Sequence, residues 1–158
     1  MGGYSNNGPI ASSEIINVDT HFLCNVSSYP FNVVQHASST TPVGVVTCGG
    51  YDGIFGYGGY FNTCKQLLNL GAWVDFPAMN SKRHNFGLMS LDGFLWAVGS
   101  GNNLDYNPTG NSMEYIDLNN PTKWSQQTMA FSVWGHCLAE LSRNKSIVTA
   151  GWIRGVSK

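Results

Sequence analysis

A period of about 50 residues is the feature that most limits how this chain can fold. An aromatic or cysteine position returns at Cys24, Trp73 and Trp124, a histidine at His36, His84 and His136, and the end of an apolar run at Cys48, Val98 and Ala150. Several markers that share one period indicate a true internal repeat. The units lie at approximately 3–50, 51–100 and 101–152, and 153–158 form a tail or the start of a next unit.

Each unit contains about four short apolar or alternating runs. In the second unit they are 62–67, 72–76, 84–91 and 94–98, and Asp92-Gly93 joins the last two as a tight hairpin turn. Only 11% of the residues are charged and 19 are glycine, which is unlike the composition of a helical bundle. Four antiparallel strands in about 50 residues predict an all-β chain built of propeller blades.

Charge and hydropathy exclude two classes of partner. The net charge is −1, and of the eight basic residues only Lys82 and Arg83 are adjacent, whereas a nucleic-acid groove needs clustered cations. No apolar run approaches the roughly 18 residues that span a bilayer. We therefore expect neither nucleic-acid binding nor a membrane span.

The motifs of the repeat resemble those of kelch-repeat β-propellers. The resemblance rests on 48–53 (CGGYDG), Trp73, Met79, Arg83-His84, 91–99 (LDGFLWAVG), 113–118 (MEYIDL) and Trp124. It implies one propeller region over 1–158 with about three four-stranded blades, part of a larger ring. The first unit is degenerate, with Cys24 in the place of tryptophan. The motif variants that contain Cys48, Cys64 and Cys137 look most like those of secreted, invertebrate kelch proteins. A WD-repeat propeller is the alternative that Gly135-His136 suggests, but its unit is shorter.

The cysteines bear on the compartment. In the blade arrangement Cys48 ends the second strand and Cys64 lies in the antiparallel third strand, so we expect them to form a disulfide. Cys24 and Cys137 belong to different units, and the sequence does not pair them. Acceptor motifs for glycosylation begin at Asn25 and Asn144. Together these features favour an extracellular protein, with a cytoplasmic one as the alternative.

No arrangement of residues predicts catalysis. Kelch-type propellers include copper-radical oxidases, which use two histidines and two tyrosines, one tyrosine beside a histidine, and this sequence has no Tyr-His pair. His36, His84 and His136 occupy one repeat position, so a three-histidine metal site is conceivable. We favour the simpler interpretation that each histidine bonds within its own blade. We predict no catalytic residue, no metal and no cofactor.

Binding is the remaining function, and the loops between second and third strands are the place for it. Loops 51–61 and 101–112 carry aromatic side chains among glycine and asparagine, a common recognition surface. In propellers these loops share one face with the connections between blades. The predicted binding residues are Tyr57, Tyr60, Tyr106, Arg83 and Trp134. We expect a non-catalytic module for protein–protein interaction or structural assembly. A fragment of a copper-radical oxidase and a carbohydrate-binding propeller are the alternatives.

Three blades would leave two terminal faces bare. Closed propellers have about four to eight blades, and exposed apolar faces of blade size signal association. We therefore expect further blades, either from a longer chain of about six blades or from a second copy that completes a ring.

Overall fold

The strands of this chain are short and separated by turns, as the glycine-rich sequence predicts. The structure is a computed structural model that describes residues 2–53, 59–68, 71–101, 108–141 and 145–154, without the side chains of Asn25 and 152–154. The strands are β1 (Gly3–Ser5), β2 (Gly8–Ile10), β3 (Glu14–Ile16), β4 (Leu23–Asn25), β5 (Ala37–Thr41), β6 (Gly44–Cys48), β7 (Cys64–Leu68), β8 (Ala72–Phe76), β9 (Gly87–Leu91), β10 (Phe94–Val98), β11 (Ser112–Asp117), β12 (Ser125–Thr128), β13 (Ser132–Leu141) and β14 (Ser146–Arg154). One 3-10 turn covers Pro108–Asn111.

The strands form antiparallel sheets, which confirms the all-β prediction. Two sheets have four strands, in the orders β5-β6-β7-β8 and β12-β11-β10-β9. The remaining strands of the described residues pair in twos, as β1-β2, β3-β4 and β13-β14. The sequence predicts about three four-stranded blades, and two are complete in the part of the chain that the structure describes. No helix among these residues is long and apolar enough to cross a membrane.

The sheets and the sequence repeat differ in phase. The sheet β5–β8 takes β5 and β6 from the first sequence unit and β7 and β8 from the second. The sheet β9–β12 likewise spans the second and third units. The connection from β6 to β7 and the linkers between sheets therefore emerge at the same end of each sheet, which we call the linker end. The tight turns β5–β6 and β9–β10 lie at the opposite end.

Successive sheets pack through their first strands. The strand β5 contacts β9, and β9 contacts β13. The backbone N–H of Ser90 on β9 donates to Oγ of Ser39 on β5 at 3.0 Å. Apolar side chains of the two four-stranded sheets and their linker form one buried core, made of Val46, Cys48, Cys64, Phe76, Met79, Phe86, Leu95, Ala97, Ile116, Leu118 and Trp124. The two complete sheets are thus held together by a shared apolar layer, as neighbouring repeats require.

The recurrent tryptophans connect each sheet to the segment before it. Nε1 of Trp73 donates to the carbonyl of Ser27 at 2.9 Å, and Nε1 of Trp124 donates to that of Pro77 at 2.8 Å. The donors are 51 residues apart and the acceptors are 50 apart, so the repeat preserves the bond. The two tryptophans therefore make the same contact in successive repeats.

The first unit differs from the sequence alignment by one residue. Trp73 stands opposite Leu67 in the pair β7-β8. In the pair β3-β4 the corresponding position, opposite Ile16, is occupied by Leu23, while Cys24 stands opposite Ile15. The placement of Cys24 at the tryptophan position is therefore wrong by one residue, because the strand pairing sets Leu23 and not Cys24 opposite Ile16.

The predicted disulfide is confirmed. Cys48 and Cys64 are cross-strand partners with Cα atoms 4.1 Å apart, and their sulfurs are bonded. Both side chains lie in the buried core. Cys24 and Cys137 are free and exposed. The disulfide thus fixes β6 to β7 at the linker end of the first complete sheet.

Candidate binding surface at the linker end

A line of backbone hydrogen bonds joins the three linkers. The N–H of Asn85 donates to the carbonyl of Gln35 at 2.8 Å, and the N–H of Gly135 donates to that of Asn85 at 2.9 Å. All three residues have a positive φ, between 53° and 55°. This left-handed conformation is easy for glycine and tolerated by asparagine. Every repeat therefore presents the same turn at the same place, and each turn is bonded to the one before it.

A second repeated bond fixes the start of each long loop. In each repeat a glycine ends the apolar run, and the residue after that glycine donates its N–H to a carbonyl of the following linker. The bonds are Gly3 to Val33 at 3.0 Å, Gly50 to Arg83 at 2.7 Å, and Ser100 to Val133 at 3.1 Å. Gly101 adds a bond to the carbonyl of His84 at 2.6 Å. The loops predicted to bind therefore leave the sheets from fixed backbone positions.

Three side chains form a ring cluster on this base, which we call the tyrosine–histidine cluster: Tyr51, Tyr60 and His84. The ring centroids of Tyr60 and His84 are 4.5 Å apart, and those of Tyr51 and Tyr60 are 5.7 Å apart. An isolated antiparallel bridge also pairs the backbones of Tyr51 and Tyr60. Both tyrosines are half-buried, and His84 is buried. The cluster presents aromatic surface whose orientation is set by the backbone bridge beneath it.

The imidazole of His84 and the hydroxyl of Tyr60 are neutral near pH 7. Burial lowers the pKa of His84 below its ordinary value of 6.5. Burial also raises the pKa of the Tyr60 hydroxyl above its ordinary value of 10.0, and the proximity of Tyr51 and Asp52 raises it further. The phenol therefore keeps its proton near neutral pH and can donate a hydrogen bond, while the imidazole contributes an uncharged ring.

The recurrent histidines pack against glycines that directly follow the strands β6 and β10. A side chain at Gly101 would collide with the imidazole of His84, and one at Gly50 would meet Cβ of His36. His136 lies in the same way against Gly99. Close packing between repeats thus accounts for the histidine at this position. Among the described residues, no group of three or more His, Cys, Asp or Glu is placed to hold a metal ion.

Arg83 lies in the interior and not on the surface. Its side chain is fully buried, and its Nη2 bonds Oε1 of Glu114 at 2.9 Å. Nη1 donates to the carbonyls of Gly99 at 2.7 Å and Ser112 at 3.0 Å. Burial lowers the pKa of Arg83, and the carboxylate of Glu114 opposes that shift. These donors are satisfied inside the chain, so the guanidinium is not presented to a partner at the linker end.

The other predicted binding residues differ in where the structure places them. Tyr60 belongs to the tyrosine–histidine cluster. Trp134 is half-buried on β13, where its backbone pairs with Trp152, immediately before the bonded turn at Gly135. Tyr57 and Tyr106 lie outside the described residues. The structure therefore brings Tyr60 and Trp134 to the linker end and leaves their binding role a prediction.

Two residues of this region escaped the sequence reasoning. Tyr51, the first residue of the predicted binding loop 51–61, supplies the backbone bridge that supports Tyr60. Glu114 received no role, although its side chain is fully buried and it binds Arg83. The signal for Glu114 is an acidic residue in an alternating strand, at a position that points inward: the burial of β11 alternates from Ser112 onward.

The repeated four-stranded sheets, the bonded linkers and the glycine-packed histidines define the class of protein: an all-β chain of repeated antiparallel sheets. Comparison with known proteins gives a likeness to Kelch-like protein 8 of Mus musculus, at 32% identity over 109 residues. The match covers 66% of this chain and 16% of that protein. No family model matches the chain. The likeness suggests the kelch family, as the motifs of the sequence do, and the chain spans only a small part of the relative's length.

Proposed function

We propose that this chain is part of a kelch-type β-propeller that serves as a non-catalytic protein-interaction module. The linker end is the binding face, and the tyrosine–histidine cluster lies at its centre. Two lines support the proposal: the likeness to a kelch-like protein and the two complete four-stranded sheets with bonded linkers. The relative's partners do not transfer to this chain, because fold analogy alone supplies none.

The observation that carries the proposal is the contact between the rings of Tyr60 and His84, whose centroids are 4.5 Å apart and whose planes are tilted by 35°. Tyrosine is enriched among residues that dominate binding energy, since it offers a large contact area and one polar atom for little lost side-chain entropy. The Tyr60 side chain is already held by its contact with His84 and by the backbone bridge to Tyr51, so it loses even less conformational freedom on binding. Loop residues around it supply the variable contacts.

We also propose an extracellular location. Oxidising compartments support structural disulfides, and the Cys48–Cys64 bond lies in the apolar core, where it belongs to the fold. A cytoplasmic location is the alternative. A non-reducing peptide map of protein taken from its natural source distinguishes them, because free thiols at both positions would contradict the extracellular assignment.

The functional test compares Tyr60→Ser with a matched variant, Val74→Ser. Val74 is an exposed residue of the outer strand β8, away from the cluster. A partner captured by the wild-type chain and purified should bind Tyr60→Ser at least tenfold more weakly, and should bind Val74→Ser with unchanged affinity. Isothermal titration calorimetry measures both.

Three outcomes would contradict the proposal. Equal affinity of both variants for the partner would remove the cluster from the interface. Stoichiometric copper with oxidase activity in the purified protein would favour the copper-radical alternative. Binding to a glycan array that is lost in Tyr60→Ser would replace the protein partner with a carbohydrate.

A further inference from the structure

The carboxylate of Asp52 lies beside the tyrosine–histidine cluster, and a negative charge next to aromatic rings is suited to a cation. We propose that the cluster and Asp52 together bind an arginine side chain of the protein partner. This assignment rests on the proposed function and names the chemical group that the linker end recognises.

Asp52 is held in place by the same backbone bridge that carries both tyrosines. Tyr51 pairs with Tyr60, and one residue further along the N–H of Asp52 donates to the carbonyl of Gly59 at 3.0 Å. A side chain at Gly59 would collide with the carboxylate of Asp52, so this carboxylate lies directly against the backbone that precedes Tyr60. The carboxylate is half-buried, and its position is therefore fixed relative to the two tyrosines.

The rings of the cluster contact one another and leave their outer faces for a ligand. Their centroids are 4.5 Å, 5.7 Å and 6.0 Å apart, with planes tilted by 35°, 41° and 73°. A planar group held between two rings needs about 7 Å between them, twice the contact distance of carbon atoms. The cation of a partner therefore lies on the solvent side of the half-buried Tyr51 and Tyr60 and does not enter between the rings.

The part of the chain that carries these tyrosines has an excess of negative charge. The first 64 residues include Glu14, Asp19 and Asp52, and they include neither lysine nor arginine. Burial raises the pKa of the Tyr60 hydroxyl, and the proximity of Tyr51 and Asp52 raises it further. The charge of Asp52 thus acts at the phenol, where it would attract a cation and repel an acidic or phosphorylated segment.

The linker that carries His84 opposes this attraction only weakly. The guanidinium of Arg83 is fully buried, and the carboxylate of Glu114 at 2.9 Å balances its charge. The imidazole of His84 is uncharged near pH 7, because burial lowers its pKa. Lys82 is exposed, so solvent and salt screen its ammonium group. An incoming arginine therefore meets the carboxylate of Asp52 without a buried positive charge against it.

A guanidinium suits both parts of this site better than an ammonium. It is planar, so one face can lie flat on a tyrosine ring while the N–H groups at its edge bond a carboxylate. A carboxylate has about four acceptor positions, so contacts of Asp52 within the chain are compatible with a further bond. The compact, strongly hydrated ammonium of lysine offers no flat face. These properties select arginine.

The first test uses the unmodified chain and two blocked pentapeptides, which carry either arginine or its uncharged isostere citrulline between glycines. Nuclear magnetic resonance follows the ring signals of Tyr51 and Tyr60 during titration. We expect the arginine peptide to shift these signals with millimolar affinity and the citrulline peptide to bind about tenfold more weakly. Equal shifts with the two peptides, or no shift with the arginine peptide, would overturn the proposal.

Three variants separate the charge from the ring. Asp52→Asn keeps the shape of the side chain and should weaken binding of the arginine peptide about tenfold. Tyr60→Phe keeps the aromatic face and should bind within about twofold of the wild type, whereas Tyr60→Leu keeps only apolar area and should lose the binding. Val74→Ser is the matched control and should leave the affinity unchanged. Equal affinities of Tyr60→Phe and Tyr60→Leu would contradict the role of the aromatic face.

Calorimetry with the purified partner distinguishes this proposal from the proposed function. We expect Asp52→Asn and Tyr60→Ser each to weaken partner binding about tenfold. If Tyr60→Ser weakens it and Asp52→Asn does not, the arginine site is overturned and the protein-interaction function stands. If neither variant weakens it, both proposals are overturned.

Discussion

Arg83 and Glu114 form an ion pair at 2.9 Å in which neither side chain is exposed to solvent. The carboxylate also accepts backbone N–H groups from Asn80 at 2.6 Å and Ser81 at 3.1 Å. The pair therefore fixes the linker before β9 to the strand β11 of the same sheet. It gives the linker end a rigid base directly beneath His84, the neighbour of Arg83 in the chain.

Removing one member of this pair should destabilise the fold strongly. Arg83→Met leaves the carboxylate of Glu114 buried without its cation, and we expect the free energy of unfolding to fall by about 3–5 kcal/mol. The exposed pair Lys145–Asp92 is the matched control, and Lys145→Met should change stability by less than about 1 kcal/mol. Urea unfolding followed by tryptophan fluorescence measures both. Similar losses in the two variants would contradict the structural role of Arg83.

The disulfide should contribute through the unfolded chain. Cys48 and Cys64 are 16 residues apart, and closing a loop of this length stabilises a fold by about 3 kcal/mol in the chain-entropy model. We expect the double replacement of these cysteines by alanine to lower the free energy of unfolding by roughly that amount. Replacing the exposed Cys24 and Cys137 by serine should change it by less than about 0.5 kcal/mol. If a reducing agent leaves the wild-type unfolding midpoint unchanged, the contribution of the bond is refuted.

Stability should fall as the pH drops below neutrality. Burial lowers the folded-state pKa of His84 and of His136 below 6.5, so the unfolded chain binds protons that the folded chain resists. Their stabilising effect is present above the unfolded pKa and is lost as pH falls through the folded pKa. Between pH 7.5 and 5.5, His84→Gln should therefore show a shallower decline in the free energy of unfolding than the wild type. The exposed, non-titrating Val74 provides the control, and Val74→Ser should keep the wild-type slope.

Much of the fold could be predicted because its determinants are local or periodic. The 50-residue markers, the Asp92-Gly93 turn and the alternating runs indicate four-stranded antiparallel sheets, which the structure contains. The Cys48–Cys64 pairing followed from strand order alone. The sequence does not show at which residue of the repeat each sheet begins, because the period is the same wherever the boundary between units is drawn. Each sheet in fact takes two strands from each of two successive units.

The candidate site was less accessible from sequence. Arg83 reads as a surface residue because arginine is seldom fully buried, and only the long-range contact with Glu114, 31 residues away, reverses that assignment. Tyr60 is predicted to bind because its loop carries aromatic side chains among glycines. Its position, however, depends on a backbone bridge to Tyr51 and on a ring contact with His84 of the linker. Such contacts arise from tertiary packing, which no local pattern encodes.

The bonded turns of the linkers should be sensitive to backbone conformation. Gly135 has a φ of 55°, a region that costs a residue with a Cβ about 1–2 kcal/mol. We expect Gly135→Ala to lower the free energy of unfolding by about 1 kcal/mol, and to weaken the hydrogen bond to Asn85 as the turn relaxes.

Gln35 has the same conformation with φ 54°, so Gln35→Gly is the reciprocal variant. It should lose no stability, because relief of the strained φ offsets the greater freedom of glycine in the unfolded chain. Denaturant unfolding gives both energies, and amide hydrogen exchange reports the Gly135 N–H directly. A Gly135→Ala variant as stable as the wild type, with an equally protected amide, would show that these turns do not hold the linkers together.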